Sequence, residues 1–176
     1  TMSSFSEKTL EDLIFENKET IIQRGFPFLL DNTLRQFVLP SAKIIDLFSF
    51  SISEDIIDCR IFELKKECLR PQHIVQVLDY STEVYYLLHP HYKSISIERF
   101  LVGNDIDQPT ISLVEDIINL ETYLYKYTFN GLFFKKYLSK FEFGNEFLDK
   151  HLPPDTNNNK FKFRLEEIDK NRTTHP

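Results

Sequence analysis

KIIDLFSFSISEDIIDCRIFELKK, residues 43–66, consists of two runs rich in Ile, Phe and Leu, Lys43 to Phe50 and Ile57 to Lys66, around the polar segment SEDIID. Two apolar runs of strand length with a short polar connection predict a β-hairpin. With the turn centred between Glu54 and Asp55, residues whose numbers sum to 109 face each other, which sets Asp46 opposite Glu63. Their Cβ atoms then lie about 5 Å apart on one face of a sheet. Side chains alternate along a strand, so Lys65 shares the face of Glu63 while Leu64 points the other way.

Two carboxylates placed opposite each other repel, and burying either one alone costs several kcal/mol. A divalent cation relieves that cost. Mg²⁺ prefers oxygen ligands, is held by one or two carboxylates, and keeps waters that exchange for phosphate oxygens. A lysine two residues from such a ligand is placed to position a nucleophilic water, to take its proton, or to neutralise charge on a phosphate. The same spacing also suits an ordinary ion pair between Lys65 and one carboxylate, and the tripeptide by itself does not choose.

Working outward, residues 7–22 read as a helix with Leu10, Leu13, Ile14 and Ile21 on one stripe, a Ser4-x-x-Glu7 capping box at its start and Gly25 beyond its end. Asn32 and Thr33 suggest a turn, followed by a short strand from Arg35 to Leu39. Arg70-Pro71 opens a helix to about Leu88, striped by Ile74, Val77, Leu78, Tyr85 and Leu88. SISIERFLVG reads as a strand ending at Gly103, ISLVEDIINL as a short helix, and ETYLYKYTFNG with LFFKKYL as a second hairpin about Asn130-Gly131. The resulting order is helix, three strands, helix, strand, helix, two strands, which is a mixed α/β domain with helices against a central sheet. From His151 onward HLPPDTNNNK loses periodicity and reads as a linker. The final FKFRLEEIDKNRTTHP leaves a docked helix, a strand and a mobile end all open.

Composition narrows the function classes. The chain has 176 residues, 41% hydrophobic and 27% charged, with 17 Phe and no Trp, as expected for one globular domain with a sizeable core. No apolar run approaches the roughly 20 residues that cross a bilayer, and TMSSFSEK lacks a signal-peptide core, so no membrane association and a cytoplasmic location are expected. Cys59 and Cys68 are too few for a disulfide framework or a four-ligand zinc site, and both are expected as thiols, the first packed in the core. A net charge of −6 argues against a broad basic face for nucleic acid. Lys65 and Lys66, Lys135, Lys136 and Lys140, and Lys160, Lys162 and Arg164 are the candidate local patches. Few glycines and no phosphate-loop motif exclude a P-loop enzyme, and no Ser or Cys has a suggestively spaced His. His89 and His91, either side of a proline, suit a loop after a helix better than a metal site. The alternating tyrosines of ETYLYKY suit either base stacking or a half-buried strand face.

The stretch IIDLFSFSISEDIIDCRIFELKKECLRPQHIVQVLDY, residues 44–80, resembles the core of the PD-(D/E)XK nuclease superfamily, in which a strand bearing an acid leads into a strand bearing (D/E)xK and then a helix. Asp46 matches the first acid, Glu63 and Lys65 the second acid and the lysine, and Gln76 and Tyr80 the polar residues of the following helix. The first helix is similar to the entry helix of those nucleases, with Glu11 at the place of an additional acid. Ile45 stands where the motif's name puts proline. The likeness spans roughly residues 7–131.

The resemblance implies a restriction-endonuclease-like three-layer α/β domain over residues 1–150, a central mixed sheet flanked by helices, with residues 151–176 as a polar tail. It implies Mg²⁺ or Mn²⁺ held by Asp46, Glu63, the Leu64 carbonyl and Glu11. Catalysis is then expected from Asp46, Glu63, Lys65 and Gln76, in endo- or exonucleolytic hydrolysis of phosphodiesters of nucleic acid, DNA foremost or RNA, by a chain that pairs with itself or a partner protein. The alternative, which the acidic charge suits, is an inactive nuclease-fold module that binds nucleic acid or protein.

Overall fold

The computed structural model describes residues 6–137 and 159–174. In chain order these form α1 (Glu7–Glu16), a 3-10 turn (Ile21–Arg24), β1 (Asn32–Val38), β2 (Ile44–Ser53), β3 (Ile56–Leu64) and the short β4 (Cys68–Leu69). There follow α2 (Pro71–Leu88), β5 (Ser94–Gly103), the short β6 (Asp105–Ile106), α3 (Gln108–Val114), β7 (Leu120–Thr128), β8 (Gly131–Tyr137) and α4 (Asn159–Thr174). The sheet order is β1-β2-β3-β5-β7-β8, antiparallel from β1 to β3, parallel from β3 through β5 to β7, and antiparallel again at β8. The two parallel steps are bridged by α2 and α3, as parallel neighbours require.

Helices cover both faces of the sheet, giving the expected three layers. On one face Phe48, Phe50, Ile57, Cys59, Ile61 and Leu101 pack against Ile74, Val77, Val84 and Leu88 of α2 and Phe161 and Leu165 of α4. On the other, Leu47, Phe62, Leu64, Phe100 and Phe134 pack against Leu10 and Ile14 of α1 and Phe26. The abundant phenylalanine fills both layers: Phe62 stacks on Phe100 at 4.6 Å between centroids, and Phe37 on Phe48 at 4.9 Å. The β2–β3 hairpin pairs Leu47 with Phe62 through to Ser53 with Ile56, the register expected from the sequence, and Glu54 takes a positive φ of 53° in its two-residue turn. Cys59 is buried, Cys68 half-buried, and both are thiols. No helix among the described residues is long and apolar enough to cross a membrane.

Several local expectations are corrected. The first helix stops at Glu16, because Asn17 folds its amide back onto the Leu13 carbonyl at 2.7 Å, and only a 3-10 turn follows. Its cap is Ser6, whose hydroxyl accepts from the Thr9 N–H at 3.0 Å; Ser4 lies outside the described residues. Gly25 ends the 3-10 turn at φ 96°, where a Cβ would run into the Phe134 carbonyl. Asn32 and Thr33 belong to β1, not to a turn: the Asn32 amide is satisfied by the Phe50 carbonyl and by Asp169 of α4. The short third helix begins three residues sooner than its apolar run, capped by Asp107, and Leu120 already opens β7. The second hairpin turns on Phe129 and Asn130, with Gly131 paired to Thr128.

The C-terminal segment, left open by the sequence, carries a helix that completes the core. Besides Phe161 and Leu165, Glu166 accepts from the Tyr92 hydroxyl at 3.0 Å. Residues 138–158, which include Lys140 and most of the HLPPDTNNNK linker, lie outside the described residues. Because this bond helps to dock α4, Tyr92→Phe is expected to lower stability by about 1 kcal/mol. Urea unfolding checks this as a lower midpoint with an unchanged m-value; an unaltered midpoint would contradict the docking.

Candidate active site

Asp46 and Glu63 come together at the end of the β2–β3 hairpin, one register step beyond the Leu47–Phe62 pair. The Leu64 N–H donates to Asp46 Oδ2 at 2.8 Å. Lys65 lies at the end of β3, its N–H held by the Val102 carbonyl of the parallel neighbour at 2.8 Å, and its ammonium meets Glu63 Oε1 at 3.2 Å. Glu63 is only 3% exposed. Its other oxygen, Oε2, is buried and meets no N–H donor among the described residues, so that its carboxyl bonds to Asp46 only when one of the two acids is protonated. A buried acceptor left this way costs roughly 1–3 kcal/mol.

The electrostatics follow from crowding acids into a dry corner. Burial pushes the Glu63 carboxyl up from the usual 4.5 to about 8, the Asp46 charge adds to the push, and Lys65 opposes it. Asp46 is raised by burial too, against the Leu64 N–H, the Glu63 carboxyl that donates to it when protonated, Lys65 and Gln36, which favour its anion. For Lys65, burial works against the ammonium, but the charges of Glu63, Glu7 and Asp46 outweigh it and its pKa is raised. In isolation the corner therefore tends to hold a neutral Glu63 beside a protonated lysine.

Tyr80 of α2 is buried against this corner, and its hydroxyl accepts from the Gln76 amide at 2.7 Å. Burial and the Glu63 and Asp46 charges raise the Tyr80 hydroxyl pKa, while the Gln76 bond lowers it. Gln76 is thus brought to the site through Tyr80, whereas Gln72, on the same helical line, is exposed. Tyr80, expected as a polar residue of this helix, joins the apolar stripe instead.

Glu11 lies at the same end of the sheet but is engaged elsewhere. Its Oε2 takes two bonds from Arg35 of β1, at 3.1 and 2.6 Å, and its Oε1 takes the Gln36 amide at 2.6 Å. Gln36 also donates to Asp46 Oδ1 at 3.3 Å. A cleft of about 300 Å³ opens here between α1 and the strand ends, lined by Glu7, Lys8, Glu11, Gln36, Asp46 and Leu64. Sequence reasoning passed over Gln36. The only signal would have been its place between Arg35 and Phe37, whose partners Leu47 and Ile45 flank Asp46, and its backbone, at φ 47°, has no signature in a non-glycine residue.

Among the described residues no group of three or more His, Cys, Asp or Glu side chains converges to hold a metal. The set with free capacity is the pair Asp46 and Glu63, within the one or two carboxylates on which Mg²⁺ commonly relies. The crowding of two buried acids and the resulting rise in both pKa values are the features such a cation would relieve. His73 is buried at the start of α2, where its Nδ1 accepts the Arg70 N–H at 3.0 Å. Tyr123 and Tyr125 are core residues, leaving Tyr127 as the exposed member of ETYLYKY. Of the basic candidates, Lys136 pairs with Glu121 at 2.8 Å and Lys162 with Glu166 at 3.8 Å, while Arg164 lies over the Phe37 ring.

No protein-family model matches the chain, and a search of curated proteins finds no match. Among solved structures, the chain is similar to the crystal structure of a repair endonuclease from Pyrococcus abyssi, with 20% identity and a TM-score of 0.48. The match covers 69% of this chain and 47% of that one, so the chain spans about half the length of the endonuclease.

Proposed function

We propose that this chain is a metal-dependent nuclease of the PD-(D/E)XK type, hydrolysing phosphodiesters of DNA or RNA at the corner formed by Asp46, Glu63 and Lys65. The observation that carries the reading is Glu63 itself: a glutamate 3% exposed and set against a second carboxylate, so that without a cation the two acids are held together by a proton on Glu63. A purely structural ion pair needs one acid for Lys65, and burying a second acid beside it is costly. A cation that takes the place of the shared proton gives the second acid a reason to be there.

In this reading Asp46 and Glu63 are the side-chain ligands and the Leu64 carbonyl is the main-chain one. Glu11, whose oxygens are taken by Arg35 and Gln36, supports the site from outside the ligand set. Bound Mg²⁺ or Mn²⁺ would supply Lewis-acid stabilisation of the phosphate and a more acidic water. Lys65 acts as a cation against charge building on the phosphate, because its raised pKa keeps it protonated near neutrality. Tyr80 and Gln76 form one hydrogen-bonded unit that orients groups on the α2 side of the corner.

Calorimetric titration with Mn²⁺ and Mg²⁺ tests the premise. The wild-type chain is expected to bind in the micromolar to millimolar range and Asp46→Asn to lose the binding heat while unfolding at an unchanged temperature. A wild type silent to both ions at millimolar concentration would sink the enzyme and leave the non-catalytic binding module.

A further inference from the structure

We infer that Gln36 is a positioning residue: from β1 it fixes the rotamer of Asp46 and ties that carboxylate, through Glu11 and Arg35, to α1. The inference deepens the proposed active site and rests on that reading for its functional consequence, though the geometry it invokes exists without a metal. A carboxamide nitrogen carries two N–H donors. Both neighbours of Gln36 Nε2 are carboxylate oxygens, Glu11 Oε1 at 2.6 Å and Asp46 Oδ1 at 3.3 Å, so its orientation is chemically unambiguous. Asp46 Oδ2 is already taken by the Leu64 N–H at 2.8 Å. With both oxygens addressed from different strands, the carboxylate has one orientation left.

The backbone supports the same conclusion. Gln36 sits at φ 47° with its side chain exposed, so no packing compensates the left-handed conformation at that residue. Around it the strand alternation breaks. Phe48 and Phe50 face α2 and Leu47 faces α1, yet Ile45, next to Asp46, again faces α2, as does its partner Phe37. The kink is what lets a β1 side chain turn toward Glu11 of α1. Glu11 is itself 5% exposed and clamped by two bonds from Arg35, at 3.1 and 2.6 Å, so the relay starts from a fixed point.

The test uses Gln36→Gly, which removes the amide and suits the positive φ, and Gln36→Glu, which keeps length but replaces a donor with an acceptor between two acids. Amide exchange followed by NMR without metal reads the Leu64 N–H, with the Lys65 N–H, bonded to Val102, as internal control. Calorimetry with Mn²⁺ gives the second readout. Gln36→Gly is expected to melt at or above the wild-type temperature. In both variants the Leu64 amide is expected to exchange at least about fivefold faster with Lys65 unchanged, and Mn²⁺ affinity to fall about tenfold, as when a ligand loses its outer partner. Unchanged Leu64 exchange in both variants would overturn the inference, and Mn²⁺ binding by the wild type would then still uphold the metal site. Faster Leu64 exchange in a chain whose wild type binds no metal would uphold the positioning and overturn the nuclease reading. If Gln36→Gly fails to fold, Gln36→Asn, whose amide is too short to bridge and which tolerates the same φ, gives the same readout.

Discussion

Lys65→Ala is expected to lower metal-dependent phosphodiester cleavage by at least about 100-fold, the loss typical when a charge-stabilising group is removed from a dry site. Fluorescent single-stranded, duplex and branched DNA and RNA, assayed with Mg²⁺ and Mn²⁺, would measure it. The physical ground is the placement of the ammonium, 3.2 Å from Glu63 and pinned by the Val102 carbonyl through its own main chain. Removing the side chain should leave metal binding largely in place, since Lys65 is no ligand. The rate should therefore fall while the Mn²⁺ affinity stays the same or improves, two acids then facing the ion without a competing cation. Equal cleavage by wild type and variant, or cleavage by neither, would refute the assignment.

The second large effect concerns stability without metal. Glu63 has a folded-state pKa of about 8 against 4.5 when exposed, so the folded chain holds this proton more tightly than the unfolded chain. Its contribution is fully present below about 4.5 and is lost as pH rises through about 8. In EDTA the wild type should lose a few kcal/mol between pH 5 and pH 9, on the order implied by a shift of this size. Glu63→Gln, which stays neutral throughout, should match the wild type near pH 5 and exceed it by roughly 1–3 kcal/mol near pH 9. Mn²⁺ should restore the wild type at high pH and leave the variant unaffected, because the cation replaces the proton. Parallel pH profiles for the two proteins in denaturant unfolding would show that Glu63 bears no such strain. The gain in stability would come with loss of the metal site, the usual exchange at a functional position.

The hairpin register was readable because strand alternation has a period of two residues and a two-residue turn leaves little freedom, so Asp46, Glu63 and Lys65 could be brought together on paper. Arg70-Pro71 marked the start of α2 as plainly, since proline is suited to a first helical turn. The site's surroundings were a different matter. Glu11 looked like a spare acid because its partner, Arg35, stands 24 residues away and on another element. Tyr80 looked like a polar face residue because helical spacing alone does not tell how deeply a tyrosine sinks between a helix and a sheet. In α4, Phe161 and Leu165 are spaced to share a helix face, yet the segment is too polar to declare a core role before Phe37 and Tyr92 are seen beneath it.

What the amino-acid sequence determined by itself is the α/β order of elements and the meeting of two acids and a lysine at one hairpin, because local periodicity and turn chemistry act over a few residues. Only the tertiary structure decided which oxygens of those acids are satisfied. That depends on burial and on donors from distant strands: Leu64 and Gln36 on Asp46, Arg35 on Glu11, and on Glu63 no more than Lys65 and the neighbouring acid.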